Sequence, residues 1–459
     1  MPLKPPVVNM YTCGVTVYDE SHIGHARSLY IFDVIRRYLK YRGFQVNFVR
    51  NITDIDDKII NRANELKVDW KDLVKKYIER YYEDLKSLGI EKGDFEPRAT
   101  ENIPEMIKYI QGLIEKGFAY AAGGDVYFDV RKFTSYGKLS GQSIDEMQTG
   151  VRIEPTEHKK DPLDFALWKN SKENEPYWES PWGKGRPGWH IECSVMSQKF
   201  LKTDTLDIHA GGRDLIFPHH ENEIAQAEAL TGKPFARYWI HGGLLTINSQ
   251  KMAKSLGNFV TIKDFMEKYK YADFLKLFFL SAHYSSPIDY TDERIEESRQ
   301  ALDRILILLN KIETVTSHKA QSTSKGIKEI DEIKNKFIAA MDDDFNTPQA
   351  LACVFELINL SNKNIDNLDF IYYAKNILEE LLGILGIHLK STKLATITSE
   401  VYFISGITEE EIKQKVSERL RLKQEKKYVE ADKIRKELEE KGIILEDTKD
   451  GKTTWRRKL

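Results

Sequence analysis

The chain has 459 residues, of which 41% are hydrophobic and 31% charged, and its 69 lysines and arginines nearly balance 71 aspartates and glutamates. This composition is too apolar for a disordered chain, and a formal charge of −2 excludes a strongly basic, histone-like binder. The absence of a run of 18 apolar residues argues against a transmembrane helix. Because Cys13, Cys193 and Cys353 are the only cysteines, we expect no disulfide scaffold and a cytoplasmic enzyme.

The chain opens with a strand–helix–strand pattern. The apolar run 7–11 predicts a strand that ends at residues 13–14, and residues 24–40 place their apolar side chains on one helical face. Residues 44–48 alternate as a second strand. This βαβ unit predicts a parallel, doubly wound sheet of the Rossmann type, whose ligands bind beyond the carboxyl ends of the strands.

Composition shifts divide the rest of the chain. We expect the catalytic α/β domain to be interrupted by an insertion and followed by an α-helical bundle and a small C-terminal domain. The expected boundaries are 1–105 for the first catalytic half, 106–187 for the insertion, 188–245 for the second half, 246–295 for a loop-bearing region, 296–400 for the bundle and 401–459 for the last domain. Within the bundle, amphipathic spacing predicts helices at 301–312, 327–341, 347–360 and 370–385.

Two histidines stand where the first strand passes into its helix. His22 and His25 are three residues apart and share one side of the helix N-terminus, and Gly24 between them lets a flat group approach the backbone. Free backbone N–H groups and the helix dipole make this a candidate phosphate site. Taken alone, the tetrapeptide is equally compatible with two ordinary surface histidines.

A second motif, Lys-Met-Ala-Lys-Ser, begins at Lys251 and follows a Gly-Gly turn. Two lysines three apart, Lys251 and Lys254, suit a polyphosphate whose charge shifts during a reaction, although a solvated loop is the simpler interpretation of this motif alone. Together, the histidine and lysine motifs resemble the two signature sequences of class I aminoacyl-tRNA synthetases. Ala253 departs from the serine usual in that family.

Four further residues are candidates for a metal site. His219 and Glu223 are four residues apart, so they share a helix face, and Cys13 and Cys193 supply thiols. Two thiolates, an imidazole and a carboxylate make an ordinary zinc ligand set. The two cysteines alone are as compatible with buried small hydrophobic residues, to which Cys353 is assigned.

Nearly the full length resembles the cysteinyl-tRNA synthetase family. The matching segments are 10–19, 50–58, 187–193, 217–223, 341–348 and 453–458. The resemblance implies that the chain uses ATP with Mg²⁺ to activate L-cysteine and charges tRNA(Cys). It also implies one Zn²⁺ per chain, held by the four candidate ligands and joined by the substrate sulfur, with Glu223 as the weakest ligand. Zinc would distinguish cysteine from serine, because apolar contacts alone give only about 1–3 kcal/mol.

The same resemblance suggests roles for residues around the substrates. We expect phosphate charge to be stabilised by His22, His25, Lys251 and Lys254. We expect ATP to contact these four together with Gly24, His209, Gly211, Gly212 and Asp214. We expect the cysteine pocket to be lined by Gly14, Thr16, Trp189 and His209.

The C-terminal segment is basic. Residues 413–459 hold 16 lysines and arginines against 10 aspartates and glutamates. Trp455 beside Arg456 offers a stacking ring next to a cation, and Arg435 lies outside the apolar face of a predicted helix, although a plain charged helical hairpin explains this segment alone. From the resemblance we expect these residues to contact the tRNA anticodon and the enzyme to act as a monomer.

Three other interpretations remain. The cysteine ligase of mycothiol synthesis shares the catalytic fold but lacks the terminal part that this chain retains through Trp455. A non-catalytic RNA-binding paralogue would be expected to lose the phosphate-contacting residues, and all four are present. A zinc hydrolase needs an open metal position and a general base, for which Glu221 is the only local candidate.

Overall fold

The computed structural model describes residues 1–143, 158–253, 256–316, 326–388, 409–425, 427–447 and 453–457. Two compact units make up the chain. The first unit comprises Met1–Thr291, Lys336–Ala352 and Gly383–Gly386, and the second comprises Asp292–Asn335, Cys353–Leu382 and Ile387–Leu459. Among the residues so described, no helix has the length and apolarity needed to cross a membrane.

Strands and helices are numbered in chain order. The strands are β1 Val7–Thr16, β2 Gln45–Thr53, β3 Ala119–Ala122, β4 Asp125–Phe128, β5 Phe165–Asn170, β6 Gly185–Pro187, β7 Leu206–Gly212, β8 Ala236–Gly242, β9 Leu245–Ile247, β10 Gln250–Lys251, β11 Ile288–Tyr290, β12 Ile443–Asp447 and β13 Thr453–Arg457. The helices are α1 Ile23–Tyr41, α2 Asp57–Leu66, α3 Trp70–Ser87, α4 Ile103–Glu115, α5 Trp189–Leu201, α6 Glu221–Thr231, α7 Ile262–Tyr269, α8 Ala272–Leu280, α9 Asp292–Thr316, α10 Lys328–Asp342, α11 Thr347–Lys363, α12 Leu368–Ile384, α13 Glu409–Gln424 and α14 Tyr428–Glu440.

The first unit contains a four-stranded parallel sheet with the strand order β2-β1-β7-β8. The predicted βαβ unit is confirmed as β1, α1 and β2. The chain runs outward from β1 to β2 on one side and from β7 to β8 on the other, so the order reverses between β1 and β7. In register, Tyr11 pairs with His209 and Thr12 with Ala210, which brings the carboxyl ends of these two strands side by side at the usual ligand position of such a sheet.

The first strand continues past the predicted end at residues 13–14. Its pairing with β2 is irregular between Thr12 and Val15 and then resumes. Gly14 donates its backbone N–H to Asn51 Oδ1 at 2.8 Å, and a Cβ at this position would overlap the Asn51 carbonyl oxygen. Glycine therefore lets the two backbones close up at a bulge, and Cys13 stands within that bulge rather than at a strand end.

Two smaller sheets complete the described part of the first unit. Strands β3 to β6 form an antiparallel sheet between α4 and α5, and β9 lies between its partners β10 and β11. The hydrophobic core beneath the site includes Tyr11, Val49, Ile191 and Phe235, all at most 1% exposed.

All four helices predicted between residues 301 and 385 are confirmed as α9 to α12. In the second unit, Lys334 Nζ of α10 lies 2.7 Å from Glu380 of α12. The C-terminal segment forms α13, α14 and the antiparallel pair β12–β13 around a small core of Ile412, Val416, Leu438, Ile443 and Leu445. The sequence pattern predicts one helical face formed by six apolar residues, but Ile412, Val416 and Leu420 lie on α13 whereas Ala431, Ile434 and Leu438 lie on α14.

Candidate active site and metal centre

The four candidate metal ligands meet at the sheet edge where the strand order reverses. Their ligand atoms, from Cys13, Cys193, His219 and Glu223, all lie within 4.8 Å of one another. Cys13 is half-buried, whereas the other three are at most 1% exposed. Residues up to 210 positions apart in the chain therefore form one buried donor cluster.

Each ligand is placed by a different element. Cys13 lies in the β1 bulge and Cys193 on the first turns of α5. His219 belongs to the π-helical turn Ile216–His220 that precedes α6, and Glu223 lies in the first turn of α6. The predicted pairing of His219 with Glu223 is seen across this junction rather than along one regular helix, with Nε2 2.7 Å from Oε1.

The spacing of the cluster fits a tetrahedral metal. Ligand atoms at ordinary zinc bond lengths are about 3.3–3.8 Å apart in a tetrahedron. The two sulfurs are 3.9 Å apart, Cys193 Sγ is 3.6 Å from His219 Nε2, and Cys13 Sγ is 3.6 Å from Glu223 Oε1. The His219–Glu223 edge has hydrogen-bond length. The donor types and three of these four edges therefore suit zinc.

A second ligand set overlaps the first. Cys13, His209, His220 and Glu223 also bring their ligand atoms within 4.8 Å of one another, and Cys13 Sγ lies 3.3 Å from His220 Nε2. Sequence reasoning missed His220, although it directly follows His219. The first set contains both thiols, which zinc prefers, so we favour it.

Two more histidines stand behind the cluster, and sequence reasoning missed both. His190 Nδ1 lies 2.9 Å from His219 Nδ1, and His241 Nε2 lies 2.9 Å from His220 Nδ1. Burial lowers the pKa of His190 well below its ordinary value, so this ring is neutral. Metal-binding histidines commonly use the second ring nitrogen in such a contact, which fixes the ring orientation.

His209 is fully buried beside the metal cluster. We expected this residue of β7 to touch ATP and cysteine, but its side chain is 0% exposed and its Nε2 contacts the Glu223 carboxylate. The ring also stacks on Trp239 at 4.7 Å and meets Tyr11 edge-on. The His209 ring is therefore placed to hold Glu223, and its expected contact with ATP and cysteine stays a prediction.

The cluster favours anionic ligands. Burial raises the pKa of Cys193, but hydrogen bonds with Cys13 and His219 outweigh burial and lower it below its ordinary value. Burial likewise opposes ionisation of Glu223, and the nearby His209 and His219 lower its pKa well below the usual range. Burial and the adjacent Cys193 raise the pKa of Cys13. One thiolate and one carboxylate are thus already favoured in the buried site.

The expected cysteine pocket lies against this cluster. Trp189 stacks on His219, with ring centroids 4.1 Å apart and 21° between the planes. Gly14 adjoins Cys13, and Thr16 ends the same strand. All three are partly exposed, so a substrate has access to them.

The first signature motif forms the cap of α1. His22 is the N-cap residue, and its Nδ1 accepts the N–H groups of Gly24 at 3.1 Å and His25 at 3.3 Å. His25 Nδ1 accepts the N–H of His22 at 3.4 Å. Burial and the neighbouring His22 and Lys58 lower the pKa of His25 to about 3. Both Nδ1 atoms therefore accept hydrogen bonds, which leaves each imidazole with its proton on Nε2.

The second signature segment lies beside the first. Lys251 ends β10, and Lys254 lies outside the described residues. Beyond the motif, Ile23 donates its N–H to Val260 at 3.1 Å, and Ile262 donates to Ser21 at 2.9 Å. These backbone bonds hold the end of the lysine loop against the start of α1.

The remaining candidates are more dispersed. Gly211 and Gly212 end β7, and Asp214 is exposed in the turn that follows. In the second unit, Arg435 is exposed on α14, whereas Trp455 is half-buried and packs against the apolar core. Arg456 pairs with Ile444 through β13, and its side chain lies outside the described part. The packing of Trp455 covers part of the ring that we expected to stack on RNA bases.

Comparisons with known proteins agree with these features. The family model of the class I (C) tRNA synthetase catalytic domain matches residues 1–300, and the DALR domain model matches residues 336–390. The cysteine–tRNA ligase of Thermodesulfovibrio yellowstonii is 49% identical over 487 residues, covering 100% of this chain and 97% of that protein. The cysteine–tRNA ligase of Aquifex aeolicus is 48% identical over 480 residues, covering 100% and 96%.

Solved structures share the fold at low identity. Mycobacterium tuberculosis methionyl-tRNA synthetase in complex with methionyl-adenylate gives a TM-score of 0.62 at 14% identity, covering 83% of this chain and 90% of that one. The Agrobacterium radiobacter LeuRS in a ternary complex with tRNA and LeuAMS gives 0.59 at 12% identity, covering 85% and 86%. The predicted α/β fold class is confirmed. The chain therefore belongs to the cysteine–tRNA ligase family and is an ATP-dependent aminoacyl-tRNA ligase with a class I catalytic domain.

Proposed function

We propose that this enzyme activates L-cysteine with ATP and Mg²⁺ to cysteinyl-adenylate and transfers the cysteinyl group to the 3′-terminal ribose of tRNA(Cys). The cysteine carboxylate attacks the α-phosphorus of ATP, the bond to the pyrophosphate breaks, and a ribose hydroxyl of the tRNA then displaces AMP. No side-chain nucleophile is required. Catalysis consists of positioning and of stabilising phosphate charge.

The observation that carries the proposal is the buried cluster of Cys13, Cys193, His219 and Glu223. These residues would hold a zinc ion, a borderline-soft Lewis acid that would favour the substrate thiolate over a hydroxyl. His209 fixes the Glu223 carboxylate, and Trp189 covers the face of His219. The chain's own residues thus build a site that reads the substrate by its sulfur.

The signature residues serve the phosphates. His22 and His25 carry their protons on Nε2 and supply N–H donors, while their Nδ1 atoms are occupied by backbone N–H groups. Lys251 supplies positive charge, and from the motif we assign Lys254 the same role. Gly24, Gly211, Gly212 and Asp214 remain our candidates for the rest of the ATP contact, and Arg435, Trp455 and Arg456 for the tRNA contact.

Charging of a tRNA(Cys) transcript with labelled cysteine tests the proposal, with serine as the control amino acid and zinc content measured on the same preparation. We expect charging with cysteine alone and about one zinc per chain, as a single closed ligand set implies. Cysteine-dependent pyrophosphate exchange without charging of this tRNA would instead favour an acceptor other than tRNA, as in the mycothiol ligase. The absence of both activities would contradict the proposal.

A further inference from the structure

Arg27 lies one turn into α1, two residues after His25, and is only 2% exposed. Its guanidinium donates to five backbone carbonyl oxygens on two separate segments. Nη1 donates to Gly243 at 2.7 Å and Leu244 at 3.1 Å. Nη2 donates to His283 at 3.2 Å, Tyr284 at 3.4 Å and Ser286 at 2.7 Å.

The two segments flank the small sheet that presents Lys251. Residues 243–244 lead directly into β9, which pairs with β10 and so with Lys251. Residues 283–286 lead into β11, the parallel partner of β9. Gly243 donates its N–H to Tyr284 at 2.7 Å, and a Cβ on Gly243 would overlap the Ser286 carbonyl oxygen. The two segments are therefore pressed together at the point where Arg27 binds them.

A cation is favoured at this point because five carbonyl oxygens converge on the buried Arg27 side chain and their negative ends repel one another. The carbonyls of Leu244, His283 and Tyr284 also accept backbone N–H groups, so Arg27 adds a second, charged donor to these three. Burial lowers the pKa of Arg27 to about 10, so the guanidinium still carries its charge at neutral pH. Its planar fork reaches two segments at once, which a lysine ammonium cannot do in the same way.

The other end of the lysine loop is tied to the same place. Ile23 and Ser21, at the start of α1, form backbone hydrogen bonds with Val260 and Ile262. The segment that carries the lysine motif is thus held near the start of α1 at both ends. Backbone hydrogen bonds hold its C-terminal end, and Arg27 holds its N-terminal end. Both sets of hydrogen bonds therefore connect the lysine motif to α1, the helix whose start carries His22 and His25.

We propose that Arg27 is a positioning residue that fixes the β9–β10 pair, which carries Lys251, relative to His22 and His25. Arg27 thereby aligns the two halves of the phosphate site for amino-acid activation. This inference rests on the proposed function, because it assigns Arg27 to the activation step. Within the described residues, the hydrogen bonds of the Arg27 side chain go to backbone oxygens, so its effect passes through the residues that it holds. A small displacement of a reacting group costs about 10²-fold in rate, which sets the expected effect.

The test compares Arg27→Lys with Arg36→Lys. Arg36 is a matched control because it lies on the same helix and is 4% exposed. Its Nη1 donates to the Lys92 carbonyl oxygen at 2.6 Å, and Lys92 belongs to neither signature motif. We expect Arg27→Lys to lower kcat for cysteine-dependent ATP–pyrophosphate exchange by about 10–10²-fold, with zinc content unchanged. Arg36→Lys should keep the parent rate although both variants lose stability. Hydrogen exchange should accelerate in residues 245–251 of the Arg27 variant alone.

A double-mutant cycle with Lys251→Ala supplies a second measurement. If Arg27 acts by placing Lys251, Arg27→Lys should cost far less rate in the Lys251→Ala background than in the parent. Parent-like kcat with unchanged amide protection, equal losses in the Arg27 and Arg36 variants, or fully additive effects would each overturn the inference. If the parent enzyme catalyses no pyrophosphate exchange, the proposed function is contradicted. Amide hydrogen exchange would then still show whether Arg27 holds residues 245–251 in place.

Discussion

The rings of His22 and His25 stack face to face, with centroids 3.7 Å apart and 18° between their planes. Each ring accepts a backbone N–H of the other residue, so the pair closes the N-terminus of α1 as a capping box. Two of the residues that we assign to the phosphates therefore also cap the start of the helix. Stability and activity can be separated by choosing substitutions that keep only one of these roles.

Replacement of His22 by asparagine should keep the cap and lose the imidazole. Asparagine is a strong N-cap residue, so His22→Asn should unfold with nearly the parent free energy, whereas His22→Ala should lose about 1 kcal/mol. Both variants should lose about 10²-fold in pyrophosphate exchange, because a phosphate donor is missing. Chemical denaturation and exchange kinetics measure the two effects. Parent-like activity in His22→Asn would mean that the histidine only caps the helix.

Zinc content should distinguish the two overlapping ligand sets. Cys193→Ser and His219→Asn remove ligands of the favoured set, whereas His220→Asn removes a ligand of the other set alone. We expect the first two variants to lose zinc under mild chelation and His220→Asn to retain about one zinc per chain, since one closed set binds one ion. Elemental analysis after dialysis against a chelator gives the answer. Zinc loss in His220→Asn with retention in Cys193→Ser would favour the alternative set.

Gly14→Ala should damage both the sheet and the site. The added methyl group would overlap the Asn51 carbonyl oxygen in the neighbouring strand, so the backbones must separate beside Cys13. We expect a loss of about 1–3 kcal/mol in the free energy of unfolding, together with weaker zinc binding. Gly242→Ala is the matched control, because a methyl group there meets Ser28 Oγ at an ordinary 3.6 Å. Equal stability of both alanine variants would show that the close approach at Gly14 is not needed.

Asp84 should make stability depend on pH. This side chain of α3 is 5% exposed, and burial raises its pKa from 3.8 to about 7. The folded state therefore binds more protons than the unfolded state between those values, so the free energy of unfolding falls as pH rises through this window. The neutral variant Asp84→Asn lacks this dependence. Between pH 4 and pH 8 its stability relative to the parent should rise by about 2 kcal/mol, roughly half of what the full shift gives, because solvent screening weakens the effect. A constant difference across that range would contradict the shift.

Local patterns were sufficient for much of the fold. The βαβ start and the four helices between residues 301 and 385 follow from apolar periodicity, which the structure confirms. Periodicity failed at the end of β1, because the bulge at Gly14 depends on the approach of β2. It also failed in the C-terminal segment, where positions that fit one helical face belong to α13 and α14.

The site was predictable where motifs encode it and obscure where packing decides it. Cys13, Cys193, His219 and Glu223 were named from residue chemistry, and the fold brings them together. The contact of His209 with Glu223 was not foreseen, because the position of His209 after an apolar run does not reveal that its ring lies between Tyr11 and Trp239. His190, His220 and His241 were missed because their roles arise from contacts between distant segments. The hydrogen bonds of Arg27 with residues 243–244 and 283–286 likewise leave no local signal in the sequence, because they join distant segments.

The central claim is that the metal cluster selects the substrate by its sulfur, and competition between cysteine and serine tests it most directly. We would measure kcat/KM for pyrophosphate exchange with each amino acid on the zinc-loaded parent enzyme. The account predicts that cysteine is favoured far beyond the roughly 10–200-fold that packing alone provides, and that this preference falls in His219→Asn. A preference within the packing range, or one that survives loss of the metal, would contradict the account.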